Sequence, residues 1–240
     1  VTQRSLQTPV PPPDYVRSLV FSLYKGEKID PSELAEKLAG MGYLRVPKVS
    51  VHGEFTIRGE VLDIFMPGED TPVRIVFDFD EIGQIKTFNV ETQSTIAPVD
   101  SVLVYPMKEV IWTDELVSKL DSILSEIDKN GIGTDTPHEY SSQTSSSEAR
   151  LSLTEKGREA KEKLLSELSV NKESEGEELF YPVLWDKLYS VLDYISPDTT
   201  VFFFDYDRLD NAQESFDREY GGMYRRERME FPVLPPSSML

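Results

Sequence analysis

Two arginines, Arg58 and Arg74, lie in the most strand-like part of the chain, at positions where apolar bulk is expected. A guanidinium group can form two parallel hydrogen bonds to a carboxylate while its aliphatic stem packs against a surface. Arginine is also enriched among the residues that dominate protein–protein binding. The residues alone favour a structural role, in which each arginine is a solvated strand residue paired with Glu54, Glu60 or Asp78.

Carboxylates offer a second kind of chemistry, because clustered acidic residues bind hard cations. Asp78, Asp80 and Glu81 lie close together, but the calcium-loop pattern is absent, so a charged hairpin turn is the favoured interpretation. Asp63 lies between apolar neighbours, which favours a fold-specifying carboxylate, bonded to nearby backbone, over a general base. A metal-dependent hydrolase that uses Asp63, Asp78 and Asp80 is therefore the least favoured function.

Other catalytic and nucleotide sites lack the residues they need. The chain has no cysteine, which excludes disulfides, thiolate nucleophiles and cysteine metal sites. His52 and His138 have no ligand or triad partner at a useful spacing. No G-x-x-x-x-G-K-S/T pattern occurs, so no bound nucleotide is predicted. Residues 202–205 resemble a Walker-B strand, but without that loop they are better interpreted as a core strand.

The arginines belong to a run of short strands between residues 53 and 96. Apolar and polar residues alternate in residues 54–58, and the chain returns in 61–65, 73–79 and 85–90 after turn-forming residues. The third of these segments would bury Val73, Ile75, Phe77 and Phe79. Because the connections are local, the pattern predicts an antiparallel meander with one buried face and one solvated face.

Other elements flank this run. Residues 30–42 predict an α-helix with Asp30 as its N-cap, followed by proline and closed by glycines. Residues 17–24 and 101–105 predict strands on either side of the meander.

The second half of the chain predicts mostly helix. Helical spacing of apolar residues indicates α-helices over residues 114–129, 154–168 and 184–192. A buried strand is predicted over 201–204, followed by a helix over 207–220 that two glycines end. A strand followed by a helix is typical of α/β architecture.

The strand run resembles a known module. The patterns G-E-F-x-x-R-G-x-x-L-D-I-F, P-V-R-I-x-F, D-E-I and T-F-x-V-E-T-Q-S resemble the module shared by the bacterial repair proteins UvrB and Mfd, the transcription-repair coupling factor. Thr92-Gln93-Ser94 and the upstream G-Y-L-R-V are closer to Mfd. The resemblance covers residues 15–106 and returns weakly over 181–240.

The resemblance implies an α/β (α+β) fold in a fragment of a longer protein. A linker over residues 1–14 would come from a missing N-terminal half-domain. A UvrB-like second domain, the UvrA-binding module, would occupy residues 15–106. Residues 107–240 would form a partial RecA-like half-domain without ATP motifs, with a mobile loop over 130–150.

The implied function is that of a non-catalytic adaptor, which recruits UvrA to stalled RNA polymerase for nucleotide excision repair. In the family, the arginine before the glycine and the arginine of the P-x-R strand contribute to the UvrA-binding surface, and they match Arg58 and Arg74. The family pattern R-I-x-F-F-G-D-E puts Asp78 in the place of the second aromatic and Phe79 in that of the glycine. Arg58, Arg74, Asp78 and Phe79 are the expected UvrA contacts. Because side chains alternate along a strand, Asp78 shares the face of Arg74 and Phe79 does not, so either the contact is more polar or a bulge turns Phe79 onto the binding face. We expect either arginine to be removable without altering the fold.

Partners and cofactors of the parent protein are also implied. ATP, DNA and RNA polymerase would be bound by parts outside these residues, and this fragment is expected to need no cofactor or metal. Its net charge of −18 argues against direct nucleic-acid binding. No apolar run approaches a membrane span, so a bacterial cytoplasmic protein is expected. The alternatives are the corresponding region of UvrB, the damage-verifying helicase subunit, and a second half that is only a structural spacer.

Overall fold

The chain forms two compact units in the computed structural model, which describes residues 5–6, 8–130, 153–204 and 207–234. Asp14–Ile111, the sheet unit, contains both arginines. Val1–Pro13 and Trp112–Leu240 form the other, the helical unit. Within the described ranges, every helix is too short or too polar to cross a membrane.

The sheet unit carries two helices and eight strands. In chain order these are α1 (Pro13–Leu19), β1 (Phe21–Tyr24), α2 (Pro31–Gly40), β2 (Leu44–Arg45), β3 (Glu54–Arg58), β4 (Val61–Ile64), β5 (Val73–Asp78), β6 (Glu81–Phe88), β7 (Thr95–Val99) and β8 (Ser101–Val104). Mixed helices and sheets confirm the predicted α+β class.

The predicted meander is the centre of a six-stranded sheet with the order β2-β3-β4-β5-β6-β7. Strands β3 to β7 pair antiparallel, and β2 adds a short parallel edge to β3. Strand β8 lies outside this sheet, because it pairs with β1 in a separate two-stranded sheet.

The predicted strand over residues 17–24 was wrong in its first half. Pro13 takes the first position of α1, where its missing N–H costs no hydrogen bond. Asp14 then lies in the first helical turn, where a negative charge is favoured by the helix dipole. The strand therefore begins only at Phe21.

One face of the sheet packs on α2. The Asp30 side chain accepts hydrogen bonds from the N–H groups of Ser32 and Glu33, which confirms the predicted N-cap. The helix buries Leu34 and Leu38. Opposite them lie apolar residues from successive strands, including Phe55, Leu62, Ile75, Phe77, Ile82 and Ile85. Burial of this face leaves the other face of the sheet to carry polar groups.

The helical unit contains α3 (Asp114–Asn130), α4 (Glu155–Val170), the 3₁₀ segments Glu177–Leu184 and Val191–Tyr194, and α5 (Asp207–Glu227). Helices α3 and α4 confirm two predictions, and the Thr154 side chain caps α4. Before Pro13, Val10 forms a β-bridge with Tyr189. The predicted mobile loop lies largely outside the described residues.

Three predictions for the helical unit were wrong. Residues 184–192 form no α-helix, since Leu184 ends one 3₁₀ segment, which contains Pro182, and Val191 begins the next. Residues 201–204 form no strand and are exposed, because no described strand pairs with them. Helix α5 passes through both glycines to Glu227, where the buried Tyr224 packs with Leu153. The RecA-like half-domain therefore stays a prediction.

Gly157 gives a test of the packing around α4. A β-carbon at this position would lie 2.5 Å from the Met229 carbonyl oxygen, which Thr154 fixes with its N–H and its hydroxyl group. We expect Gly157→Ala to lower the unfolding free energy by about 1–3 kcal/mol through overpacking, despite its better helix propensity.

The matched control is Gly222→Ala, also inside a helix, where an added β-carbon meets nothing within 4 Å. This variant should gain about 0.5–1 kcal/mol from propensity alone. Urea unfolding followed by tryptophan fluorescence measures both, since Trp112 and Trp185 lie in the helical unit. Equal gains in the two variants would contradict the packing argument.

Candidate protein-interaction surface

Strand register brings the charged side chains together on the face of the sheet opposite α2. Asp63 on β4 lies directly across from Arg74 on β5, and Arg74 lies across from Lys86 on β6. Thr56 on β3 pairs with Asp63, and Arg58 lies two residues further along β3. Since alternate residues share a face, Arg58 lies on the same face as Asp63. We call this set, Arg58, Asp63, Arg74 and Lys86, the charged face.

Asp63 and Arg74 form a bidentate ion pair. The Arg74 Nε and Nη2 atoms donate to Asp63 Oδ1 at 2.7 Å and Oδ2 at 2.8 Å. The Asp63 side chain is only 1% exposed and that of Arg74 is 21% exposed. The hydrogen bonds to Asp63 raise the pKa of the Arg74 guanidinium above its ordinary value. Asp63 is thus a fold-specifying carboxylate, bonded to a side chain rather than to nearby backbone.

Gln93 and Phe88 complete the surroundings of Arg74. The Arg74 Nη1 and Nη2 atoms donate to the backbone oxygen and the Oε1 atom of Gln93, at 3.4 and 3.2 Å. The guanidinium carbon lies 4.5 Å from the centroid of the buried Phe88 ring. Arg74 is therefore held on several sides and is not free to reorient towards a partner.

The loop that presents Gln93 explains the T-Q-S motif in physical terms. Asn89 accepts from the Thr92 N–H through its side chain and from the Gln93 N–H through its carbonyl. Gln93 takes a positive φ of 62°, and its side-chain amide donates to Val90. Sequence reasoning missed Gln93 as a contact of Arg74, although the motif marked the position.

Arg58 is open, in contrast to Arg74. Its side chain is 57% exposed, and the contact to Asp63 is a longer one of 3.7 Å. One of the three partners suggested by sequence, Glu54, instead accepts from the backbone N–H groups of Ser50 and Val51. A partner's carboxylate can therefore approach Arg58 without displacing a close ion pair.

Asp78 and Phe79 lie where β5 turns into β6. Asp78 ends β5 across from Glu81, and the pairing shifts near Phe77, where Gly83 is the extra residue of β6. Phe79 follows in the turn with a positive φ of 57°, a conformation that non-glycine residues rarely adopt. Phe79 is 82% exposed as a residue, so the prediction that it belongs to the buried face was wrong.

The described residues offer no arrangement for metal binding or for histidine catalysis. No group of three or more His, Asp or Glu side chains there could hold a metal ion. The His52 Nε2 atom lies 2.8 Å from the Glu69 carbonyl oxygen, and its ring lies 4.0 Å from that of Phe65. His138 and Asp205 lie outside the described residues.

Comparison with known proteins matches the sheet unit to one family. A family profile described as the UvrB interaction domain matches residues 21–110. A transcription-repair-coupling factor from Borreliella burgdorferi is 28% identical over 184 residues, which are 75% of this chain and 13% of that protein. One from Myxococcus xanthus is 36% identical over 119 residues, 50% of this chain and 10% of that protein.

UvrABC system B proteins are also similar to this chain. The UvrABC system protein B of Kosmotoga olearia is 37% identical over 123 residues, 48% of this chain and 18% of that protein. The chain spans less than a fifth of the length of each of these three relatives. Residues 21–110 match the profile of the UvrB interaction domain, and the chain is similar to bacterial transcription-repair-coupling factors and UvrABC system B proteins.

Proposed function

We propose that this chain is a non-catalytic adaptor region of a transcription-repair coupling factor, and that its sheet unit binds UvrA. The observation that carries the proposal is the charged face, on which an open Arg58 stands beside a fixed Arg74. The family described as an interaction domain covers the same residues. In this proposal, binding brings UvrA to stalled RNA polymerase, while ATP, DNA and polymerase are bound by other parts of the parent protein.

The two arginines do different work in the proposed complex. Arg74 neutralises the buried Asp63 and keeps its guanidinium group in one orientation, so it forms a rigid part of the surface. Arg58 has free donors and can form paired hydrogen bonds to a carboxylate of UvrA. Little ordering entropy is lost at the fixed part, and this favours binding.

A transcription-repair coupling factor is favoured over UvrB by the extent of the match. The Borreliella burgdorferi coupling factor aligns over 75% of the chain, whereas the UvrABC system protein B of Kosmotoga olearia aligns over 48%. The longer alignment includes residues outside the UvrB interaction domain. UvrB itself remains the second candidate, since its interaction domain carries the same module.

Arg58→Ala tests the proposed function. We expect binding of the full chain to purified UvrA to weaken by about 1–2 kcal/mol, the range for an interface anchor that is not fully enclosed. The matched control is Arg17→Ala, since Arg17 is a 72% exposed arginine of the sheet unit on α1. Calorimetric titration measures both variants, and circular dichroism checks that each is folded.

The outcomes separate clearly. Loss of affinity in Arg58→Ala but not in Arg17→Ala supports the proposed surface. A folded wild-type chain that does not bind UvrA overturns the proposal. Equal affinities for the wild type and both variants would place any UvrA site elsewhere on the chain.

A further inference from the structure

Lys86 lies in a position that the fold does not explain. It pairs directly with Arg74 across β5 and β6, on the charged face, and its side chain is half-buried. Among the described residues, no ion pair or hydrogen bond involves its ammonium group. Like charges directly opposite each other destabilise a sheet, so the pairing of Lys86 with Arg74 does not explain a lysine at this position by stability.

The charged face has an excess of positive charge on an acidic unit. The charged face holds three cations, Arg58, Arg74 and Lys86, and one carboxylate, Asp63, which is already bonded to Arg74. By strand alternation two more carboxylates lie on this side of the sheet: Glu54, which accepts from backbone N–H groups, and the exposed Asp78 at the end of β5. The sheet unit as a whole contains 10 basic and 16 acidic residues. Arg58 has only the longer contact to Asp63, and Lys86 has no ion pair among the described residues, so these two cations favour a partner with carboxylates at the contact.

Two valines separate the open cations. Val61 pairs with Arg58 across β3 and β4, and with Val76 across β4 and β5. Both valines are only half-buried. Strands lie about 4.8 Å apart, so the backbones of Arg58 and Lys86 are separated by about 15 Å, with the valines beside the line between them. An apolar centre with a charged rim is the usual anatomy of a protein interface.

We propose that Lys86 is a second cationic anchor of the UvrA contact, and that Val61 and Val76 receive an apolar side chain of UvrA between the two cations. The inference rests on the proposed function and names the chemistry of the partner. The UvrA segment carries one carboxylate for Arg58, a second about 15 Å away for Lys86, and an apolar residue between them. Arg74 faces the same segment but stays paired with Asp63.

The test is a titration of purified UvrA with full-chain variants at two salt concentrations. Lys86→Ala should weaken binding about fivefold, the equivalent of a surface charge pair, and Lys86→Glu should weaken it more, with a smaller loss of affinity on adding salt. Val76→Thr keeps the shape and strand propensity of the side chain and should weaken binding about threefold. Lys25→Glu is the matched control, an exposed lysine outside the six-stranded sheet.

Each outcome decides the inference. Weakening by Lys86→Glu and Val76→Thr, with Lys25→Glu unchanged, supports it. Lys86→Glu that binds like Lys25→Glu, while Arg58→Ala still weakens binding, overturns the second anchor and leaves the proposed function standing. If the folded wild type does not bind UvrA, the proposed function fails and this inference fails with it. Thermal unfolding of each variant confirms that a change in affinity is not a loss of fold.

Discussion

Arg74→Ala is expected to lower the unfolding free energy of the sheet unit by about 3 kcal/mol, because it leaves the buried Asp63 carboxylate without its partner. Asp63 is 1% exposed and receives both of its short side-chain hydrogen bonds from Arg74. The value lies at the lower end for a broken buried pair, since Arg74 is partly solvated and Arg58 stays 3.7 Å from Asp63. This replaces the expectation that Arg74 can be removed with the fold unchanged.

Hydrogen exchange measured by mass spectrometry in urea checks this result for each unit. Amides of β4 and β5 should lose protection in Arg74→Ala. Arg74→Lys should also destabilise, though less, because lysine keeps the charge but lacks the planar fork. In the double variant Asp63→Leu with Arg74→Met, most of the stability should return, since an apolar pair removes the unpaired charge. Full protection of β4 in Arg74→Ala would contradict a structural role for the ion pair.

The distinction matters for any binding experiment with Arg74. A variant that loses both stability and UvrA affinity does not show that Arg74 touches UvrA. Arg58→Ala does not have this ambiguity, because its side chain is 57% exposed and makes only the longer contact to Asp63. Arg58 is therefore the residue on which the interface should be judged.

The meander could be predicted from sequence because its information is local. Alternation in residues such as Phe55 and Ile57 and the short connections set both the strands and their order. Pairing of β1 with β8 joins residues about 80 positions apart, and no local pattern encodes such a contact. The prediction of a buried strand over residues 201–204 failed for the opposite reason. Their valine and phenylalanines have high strand propensity, but a strand needs a neighbour to bond to.

The arginines could be located by sequence, but their partners could not. The partners suggested for the arginines were Glu54, Glu60 and Asp78, whereas the observed partner of Arg74 is Asp63, which lies across the connection between β4 and β5. Register across such a connection is not fixed by a two-residue turn, so the pairing of Asp63 with Arg74 could not be predicted from the sequence. Alternation also failed at Phe79, where the strand ends one residue earlier than its apolar pattern.

Phe79→Gly is expected to raise stability and weaken UvrA binding at the same time. Phe79 holds a φ of 57°, which costs a non-glycine residue about 1–2 kcal/mol, and glycine adopts this conformation without strain. Glycine also loses more entropy on folding, which offsets about half of the gain, so the net stabilisation should be up to about 1 kcal/mol. Because the residue is 82% exposed, the substitution would remove little buried surface.

Binding to UvrA should weaken in Phe79→Gly, although stability rises, if the exposed Phe79 ring is an anchor of the contact. An aromatic side chain that becomes buried in an interface commonly contributes about 2 kcal/mol or more to affinity, and we expect a loss of that size in Phe79→Gly. Phe79→Ala separates the two effects, because alanine removes the ring but keeps the strained backbone. It should lose as much affinity as Phe79→Gly without the gain in stability.

A residue that is both strained and exposed is maintained at a cost to the folded state, and such outliers concentrate at functional sites. The turn would be more stable with the glycine of the family pattern, so a phenylalanine here needs a compensating role. Contact with UvrA is the role that the neighbouring charged face suggests. Thermal unfolding and calorimetric titration of the two variants decide it: if Phe79→Ala binds UvrA as tightly as the wild type, the ring is no anchor, and the contact is confined to the open cations and valines of the sheet.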